Sequence, residues 1–297
     1  MKLSIIICAY NEKDTILSVL DRVSAVSLGA GWQKEIIVVD NFSTDGTREL
    51  LKTVAHESAR TEAEQSARPS RPEKRSSRRN RKGRGEAPTG TMPTQLKVIF
   101  HPQNLGKGAS IRTAVENCTG DYAIIQDADL EYDPAEIPRF LEKALSDHAD
   151  AVYGSRTITG NVNYIYVRNY WGVRLLTFLT NLLFNARYTD VATASKMVRT
   201  SVLKSLNLKC SGFDLDFELS NKLARGRRRV IEIPITYRPR SIAEGKKIRP
   251  KDGLSALFQI LKDRFFVGSW SRVRCGHVPG MRDESKAKQA VERKHKK

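Results

Sequence analysis

Short continuous apolar runs alternate with segments of helical periodicity along the first half of the chain. Residues 3–9 and 35–40 are such runs, typical of strands buried on both faces of a parallel sheet. Residues 14–26 carry apolar side chains at helical spacing, with Asp14 as the expected N-cap, and a second helix is expected at residues 47–54. The order strand, helix, strand, helix predicts an α/β unit with right-handed crossovers.

The pattern continues after residue 95. The elements expected there are strands at residues 96–100, 122–127, 151–155 and 230–237 and a helix at residues 134–144. Two later stretches, residues 171–184 and 254–270, have helical spacing but mix apolar with polar side chains. Both are too short and too polar to span a bilayer, so each is either a core helix or a helix at a lipid–water interface.

One long segment interrupts this pattern. The whole chain has 297 residues, and its hydrophobic content of 40% is sufficient for a core. Residues 56–95 almost lack apolar side chains and cannot bury enough surface to offset the entropy cost of ordering. We therefore expect a disordered basic insertion there, because regular structure resumes on both sides and long loops close at little extra cost. The basic tail at residues 271–297 is also expected to be disordered.

The net charge of +18 is concentrated in three segments. Basic residues outnumber acidic ones by ten to five in residues 56–95, by ten to two in residues 225–251 and by nine to three in residues 271–297. Such segments suit an anionic partner: phosphates, an acidic membrane surface or nucleic acid. Nucleic acid is not expected, because no aromatic interleaving or recognition motif accompanies the charge, but it remains the alternative from a different functional class.

The cysteines and the apolar runs indicate where the protein is found. Cys8, Cys118, Cys210 and Cys275 lack the paired spacing of a zinc site or a disulfide framework, which fits a reducing compartment. The first apolar run is too short for a signal peptide, and no run approaches about eighteen apolar residues. We expect a cytoplasmic protein without a transmembrane helix.

Polar side chains lie at the carboxyl end of each of the first five predicted strands. They are residues 10–12, Asp40, Asn104, Asp127 with Asp129, and Arg156. Ligands of open parallel sheets bind at the carboxyl ends of the strands, so we expect these groups to line one site. Their chemistry predicts a nucleotide or another phosphorylated ligand held together with a metal.

The run QDADLEYDP, residues 126–134, offers the metal ligands. In an extended segment, residues two apart point to the same side, so Asp127, Asp129 and Glu131 can converge beyond the strand end. Carboxylate oxygens suit Mg²⁺ or Mn²⁺. The alternative for these residues alone is that the aspartates only cap a loop.

The run NLGKG, residues 104–108, invites comparison with a phosphate-binding loop. The Walker pattern needs a glycine where His101 stands, so the run is not a P-loop. Backbone amides and Lys107 at a helix start could still meet an anion, and a purely structural turn is the alternative.

Six motifs occur in order along the chain: SIIICAYNE, IIVVDNFSTDGT, NLGKG, QDADLEYDP, GSR and ITYRPRSIAEGKK. Together they resemble the family 2 glycosyltransferases of the GT-A fold, and among these the polyprenyl-phosphate (dolichyl- or undecaprenyl-phosphate) glycosyltransferases. The resemblance implies an α/β fold with a Rossmann-like, mostly parallel sheet flanked by helices, and amphipathic C-terminal helices at a membrane surface. It implies one GT-A domain over residues 1–266 that contains the 56–95 insertion.

The resemblance also assigns binding residues. Those expected to bind the nucleotide sugar are Ala9, Tyr10, Asn11, Glu12, Asp40, Lys107, Asp127 and Lys246. Those expected to hold Mg²⁺ or Mn²⁺ are Asp127, Asp129 and Glu131. Arg156 and Arg168 are expected to bind the lipid phosphate. In the late basic loop, residues 243–246 read Ala-Glu-Gly-Lys where relatives often have Gly-x-Ser-Lys.

The implied reaction is metal-dependent, inverting transfer of a hexose from a UDP- or GDP-sugar to a polyprenyl phosphate at the cytoplasmic face of a membrane. The attacking phosphate is ionised at neutral pH and needs no general base. The main catalytic task is therefore to neutralise the charge that builds up on the leaving diphosphate. The catalytic candidates are therefore Asp129, Arg156 and Arg240. A soluble sugar or protein acceptor remains the alternative.

Overall fold

The continuous apolar runs form the strands of one mixed sheet in the computed structural model, which describes residues 1–66, 95–158, 165, 167–241, 247 and 250–266. In this part of the chain the sheet has seven strands. They are β1 (Lys2–Ala9), β2 (Gln33–Asp40), β3 (Gln95–Phe100), β4 (Tyr122–Asp127), β5 (Ala151–Ser155), β6 (Lys196–Arg199) and β7 (Val230–Pro234).

The strand order is β3-β2-β1-β4-β6-β5-β7. β1 pairs in parallel with β2 and β4, β2 with β3, and β5 with β7. Only β6 among these runs antiparallel to its neighbours, β4 and β5. All the other strands therefore end at the same edge of the sheet, as the sequence predicted, and this confirms the mostly parallel α/β architecture.

Helices cover both faces of the sheet. Those of the described residues are α1 (Ile16–Ala25), α2 (Thr47–Ser66), α3 (Lys107–Asn117), α4 (Ile137–Ser146), α5 (Val167–Phe184), α6 (Thr200–Ser205), α7 (Leu215–Arg225) and α8 (Pro250–Phe265). Successive side chains of β1 enter two apolar clusters, Ile5 with α1, α2 and α4, and Ile6 with α3 and α5–α8. Burial on both faces explains why most of the strand is apolar.

The structure corrects several expected boundaries. α1 begins at Ile16 after Thr15, so Asp14 is not its N-cap, and the hydroxyl of Thr15 donates to the carbonyl of Ala128 at 2.7 Å. α2 continues to Ser66, so the expectation of disorder is wrong for residues 56–66. That stretch is rich in Ala, Glu and Arg, which favour helix without an apolar stripe. Residues 67–94 and the tail lie outside the described residues.

None of the described helices is long and apolar enough to cross a membrane.

Glu35 joins the amino ends of β1, β2 and β4. Its carboxylate receives a hydrogen bond from the hydroxyl of Ser4, an ion pair from Lys2 at 2.6 Å, and bonds from the amides of Thr119 at 2.7 Å and Gly120 at 3.1 Å. Burial would raise its pKa, but the hydrogen bonds from Lys2, Ser4 and Thr119 outweigh burial and lower the pKa to about 2. The ionised carboxylate therefore stabilises the folded chain.

Glu35→Gln should lower the free energy of unfolding at pH 7 by about 2 kcal/mol, since hydrogen bonds to a charged acceptor are lost. The pKa of Glu35 falls from its ordinary 4.5 to about 2 on folding, so its contribution is complete above the higher value and is lost as the pH falls between the two. The variant should therefore lose less stability than the wild type over that interval in urea titrations followed by circular dichroism. Exposed Glu142→Gln is the control, and equal acid sensitivity of wild type and Glu35→Gln would contradict the assignment.

Candidate active site

A cavity of about 490 Å³ opens at the carboxyl edge of the sheet. Its wall includes side chains that follow β1, β2, β3, β4, β5 and β7. Such a cavity suits a ligand the size of a nucleotide sugar. The strand ends predicted from the sequence to share one site therefore largely do so.

The acidic run after β4 reaches this cavity through a turn. β4 ends at Asp127, and Leu130 adopts a left-handed φ of 60°, so the segment is not extended as expected. A carboxylate oxygen of Asp129 accepts the amide of Glu131 at 3.1 Å, which holds the turn. Asp127, Asp129 and Glu131 all line the cavity, because the turn brings together what an extended strand was expected to align.

Two cations from distant segments pair with these carboxylates. The Nζ of Lys107 lies 2.6 Å from Oδ1 of Asp127. The guanidinium of Arg240 lies 2.8 Å from Oδ2 of Asp129 and 3.0 Å from a carboxylate oxygen of Glu12. Burial, followed by the negative charges of Asp127 and Glu131, raises the pKa of Asp129 to about 7, although Arg240 opposes the shift. Burial and the neighbouring carboxylates therefore disfavour the charged form of Asp129, even with Arg240 beside it.

This donor set fits a divalent cation that a phosphate ligand completes. Among the described residues, no three side chains of His, Cys, Asp and Glu are placed to hold a metal by themselves. Mg²⁺ is commonly held by one or two carboxylates together with substrate phosphates and waters. Asp127 and Asp129 supply oxygen donors of that type, and Glu131 is already engaged by Tyr237 at 2.9 Å and by the amide of Arg240 at 2.8 Å.

The glycines of the 104–108 loop are required by packing. Gly106 has a φ of 89°, and a Cβ there would lie 2.2 Å from the carbonyl oxygen of Ser211. A Cβ on Gly108 would lie 2.7 Å from the carbonyl of Cys210, and the amide of Ala109 donates to Ser211 at 3.2 Å. This close approach holds the start of α3, and with it Lys107, against the cavity. The loop is a structural turn that positions a cation.

The predicted nucleotide residues divide into two groups. Ala9, Tyr10 and Glu12 line the cavity together with Lys107 and Asp127, whereas Asn11 and Asp40 do not. Asp40 is fully buried and pairs with Arg48 at 3.0 Å, so its carboxylate serves the interior. The binding roles of Asn11 and Asp40 stay predictions.

Asn41 stands on the wall that Asp40 was expected to form. Its side-chain amide donates to Asn104 at 2.8 Å, and its carbonyl oxygen accepts the amide of Leu105 at 2.9 Å. Sequence reasoning missed Asn41, although it is the next residue of the same motif.

The late basic loop contributes Arg240 and Lys247. The ammonium of Lys247 reaches the carbonyl of Tyr10 and, at 2.5 Å, a carboxylate oxygen of Glu12. Lys246, the residue predicted for this position, lies outside the described residues. Lys247 is the next residue of the same motif, and sequence reasoning did not select it.

The two arginines predicted to bind lipid phosphate differ in position. Arg156 lines the cavity, and its guanidinium forms a two-point ion pair with the fully buried Asp190 at 2.7 and 2.8 Å. Arg168 is exposed in the first turn of α5 and is not on the cavity wall. Sequence reasoning missed Asp190, and also Tyr132, whose hydroxyl lies 3.3 Å from Arg156.

Gly108→Ala should lower the free energy of unfolding by about 1–3 kcal/mol, because the new Cβ must displace backbone that cannot yield locally. It should also weaken nucleotide-sugar binding, since Lys107 moves with the loop. Gly172→Ala is the control, because no atom lies within 4 Å of a Cβ at that helical position, and there the change should stabilise by up to about 1 kcal/mol. Thermal and urea denaturation measure the stability of both variants. Equal stability of Gly108→Ala and the wild type would contradict the packing requirement.

Comparison with known proteins gives these features a family. The profile described as Glycosyl transferase family 2 matches residues 4–87 and 86–206. The undecaprenyl-phosphate 4-deoxy-4-formamido-L-arabinose transferase of Edwardsiella ictaluri is 28% identical over 88% of this chain and 66% of its own length. The dolichol-phosphate mannosyltransferase of Pyrococcus furiosus is 24% identical over 91% of this chain and 64% of its own. The chain thus spans somewhat less than two thirds of these relatives.

Solved structures agree on the fold. Glucosyl-3-phosphoglycerate synthase from Mycobacterium tuberculosis, in complex with Mn²⁺, UDP and phosphoglyceric acid, superposes with a TM-score of 0.59 at 18% identity, over 90% of this chain and 80% of that one. TarS of S. aureus, in complex with UDP-GlcNAc, gives 0.53 at 14% identity, over 89% and 66%. These similarities confirm the GT-A fold. Because the family profile covers more than half of the sequence, the chain belongs to glycosyl transferase family 2.

Proposed function

We propose that this glycosyltransferase transfers a hexose from UDP- or GDP-sugar to a polyprenyl phosphate at the cytoplasmic surface of a membrane, with a divalent metal and inversion at the anomeric carbon. The observation that supports a lipid acceptor is a pair of exposed apolar stripes on α5 and α8. The names of the relatives agree with it, since they include polyprenyl-phosphate transferases.

The stripe on α5 occupies one helical face. Its members are Val167, Trp171, Leu175, Phe178 and Leu182, each more than half exposed. Steps of three and four residues place them in one line, while Leu176 and Phe184 face the core. A helix with an apolar face towards the core and another towards solvent needs a second apolar environment.

α8 carries a matching stripe. It consists of Leu254, Phe258, Leu261 and Phe265, followed by Phe266. α8 packs against α5, and Ala256 and Ile260 of α8 belong to the same core cluster as Leu176 of α5. Exposed stripes on two packed helices exceed the scattered apolar residues of an ordinary surface and suit shallow insertion into a bilayer.

α8 also connects this surface with the cavity. Lys251 and Asp252, in its first turn, line the cavity wall, and the stripe begins two residues later at Leu254. A lipid whose chain lies along α8 can therefore place its phosphate in the cavity.

The side chains around the cavity have distinct tasks in this reaction. Lys107 and Arg240 bring positive charge to the region where the diphosphate leaves. Asp127 and Asp129 would hold Mg²⁺ or Mn²⁺, which when bound neutralises negative charge on the diphosphate. Glu131, predicted as a third ligand, could join them only by giving up its bond to Tyr237 or to the amide of Arg240. Arg156, fixed by Asp190, would orient the attacking phosphate oxygen. Arg168 would meet lipid phosphate only at the outer surface, given its position on α5.

A soluble acceptor is the second candidate. The synthase that shares this fold was crystallised with phosphoglyceric acid, a soluble molecule. The cavity can hold the same kind of donor in either case, so the acceptor decides between the two candidates.

With Mn²⁺ present, the chain should transfer hexose from a UDP- or GDP-sugar to farnesyl phosphate in preference to phosphoglyceric acid, measured with a radiolabelled donor.

Asp129→Ala should lower transfer at least about 100-fold, the usual cost of removing a group that organises charge in the transition state. Asp133→Asn is the control, because Asp133 pairs with Arg22 and lies outside the wall of this cavity. Transfer to phosphoglyceric acid alone would favour the soluble acceptor, and full activity of Asp129→Ala with added metal would contradict the metal site.

Leu175→Ser combined with Leu254→Ser should reduce flotation with phosphatidylcholine–phosphatidylglycerol vesicles by about 10-fold or more. Each substitution removes apolar side-chain area whose burial in the bilayer is worth about 1–2 kcal/mol. The matched control is Leu17→Ser combined with Leu145→Ser, two exposed leucines on α1 and α4 away from the stripes. Flotation of the first double variant at the wild-type level, or no flotation of the wild type, would contradict the membrane surface.

A further inference from the structure

Tyr132 lies on the cavity wall with an incomplete set of hydrogen bonds. Its side chain is 95% buried, with 5% relative exposure. Its hydroxyl oxygen accepts from Nη1 of Arg156 at 3.3 Å and from the amide of Ala194 at 3.3 Å. A tyrosine hydroxyl accepts two such bonds and donates one. No acceptor for its proton occurs among the described residues, so the hydroxyl retains one unused donor at the cavity.

The position of this donor is fixed by its neighbours. The ring packs against that of Tyr237 with a centroid distance of 5.4 Å, and the two residues form a backbone bridge. The carbonyl of Tyr132 accepts from the side chain of Gln126 at 3.2 Å. A donor held in this way needs little reorganisation when a ligand arrives, which is the condition for an effective positioning group.

The half of the cavity in which Tyr132 lies faces away from the expected nucleotide side. Tyr10 and Asn41 follow β1 and β2, on one side of β4 in the sheet. Arg156 follows β5, and Ala194 precedes β6, on the other side of β4. The hydroxyl of Tyr132 bonds to both of these last residues, so it belongs to the half that remains for the acceptor.

The donors of this half suit an anionic oxygen. The neighbouring carboxylate, Glu131, already receives bonds from Tyr237 and from the amide of Arg240. Asp190 is fully buried and receives Nε and Nη2 of Arg156. An incoming group therefore meets an O–H donor beside a guanidinium, the combination that binds phosphate oxygens.

We propose that the hydroxyl of Tyr132 donates a hydrogen bond to an oxygen of the acceptor's phosphate group and, beside Arg156, positions that group for attack. The inference rests on the proposed function, because it assumes an acceptor that carries a phosphate monoester. A prenyl phosphate and phosphoglyceric acid share that chemistry, so both are used as probes.

Tyr132→Phe in the full chain should raise KM for farnesyl phosphate about 10- to 100-fold, the effect of losing one hydrogen bond to a charged group. KM for the nucleotide sugar should stay within about twofold. The same measurement with phosphoglyceric acid shows which source of phosphate the site prefers. Tyr132→His, whose ring N–H can donate, should give an acceptor KM between those of the wild type and Tyr132→Phe, and melting temperatures are measured for all variants.

Tyr237→Phe is the matched control, since it removes the hydroxyl of the adjoining ring. That hydroxyl donates to Glu131 at 2.9 Å, so its loss should change the Mn²⁺ requirement and leave the acceptor KM unaltered. An unchanged acceptor KM in Tyr132→Phe, a rise in the nucleotide-sugar KM instead, or equal rises in acceptor KM for both variants would overturn the inference while transfer to prenyl phosphate stands. No wild-type transfer to either probe would overturn the proposed function together with it.

Discussion

Mutual repulsion among the carboxylates after β4 is the constraint on which the site depends. Asp127, Asp129 and Glu131 lie close together in a partly buried turn, where unpaired charge is expensive. Segments far apart in the sequence supply the opposite charge: Lys107 from the start of α3 and Arg240 from the segment after β7. The glycine contacts of the 104–108 loop and the carboxylate of Glu12 hold these cations in place. The fold thus concentrates negative charge and brings basic segments to it.

The other half of the cavity follows a different principle. There the positive group, Arg156, is paired with a carboxylate that solvent cannot reach, Asp190. A buried pair of this kind adds little net stability, but it fixes the orientation of a guanidinium that would otherwise be mobile. The half of the cavity that holds the carboxylates can therefore respond to the charge of a ligand. In the half that holds Arg156, the orientation of the guanidinium is fixed before a ligand binds.

The sequence predicted most of the sheet because most residues of its strands are apolar and polar groups follow the strands. It missed β6, a four-residue strand that includes Lys196, whose ammonium is fully buried and bonded to Asp216 at 2.8 Å. A lysine inside a strand conceals the apolar pattern, and only the tertiary partner explains it. Periodicity also missed the far half of α2, where helix formers replace the apolar stripe.

Within the site, the motifs predicted the segments that line the cavity better than the individual side chains that line it. Asp40 is buried and Asn41 lines the cavity, because consecutive side chains at a strand end point to opposite sides. Arg168 lies on an exposed helical face that a motif cannot define. Tyr132 and Asp190 gave no signal, since a hydroxyl or a carboxylate acquires meaning only from partners brought together by folding.

α8 combines part of the cavity wall and an exposed apolar stripe in one helix. Its first turn forms part of the cavity wall, and its outer face carries the apolar stripe, so neither can move without the other. In the proposed function, the depth at which the helix rests in the lipid would also set the position of Lys251 and Asp252 on the cavity wall. Under that proposal, bilayer thickness and lateral pressure would become kinetic variables that act on acceptor entry and product exit.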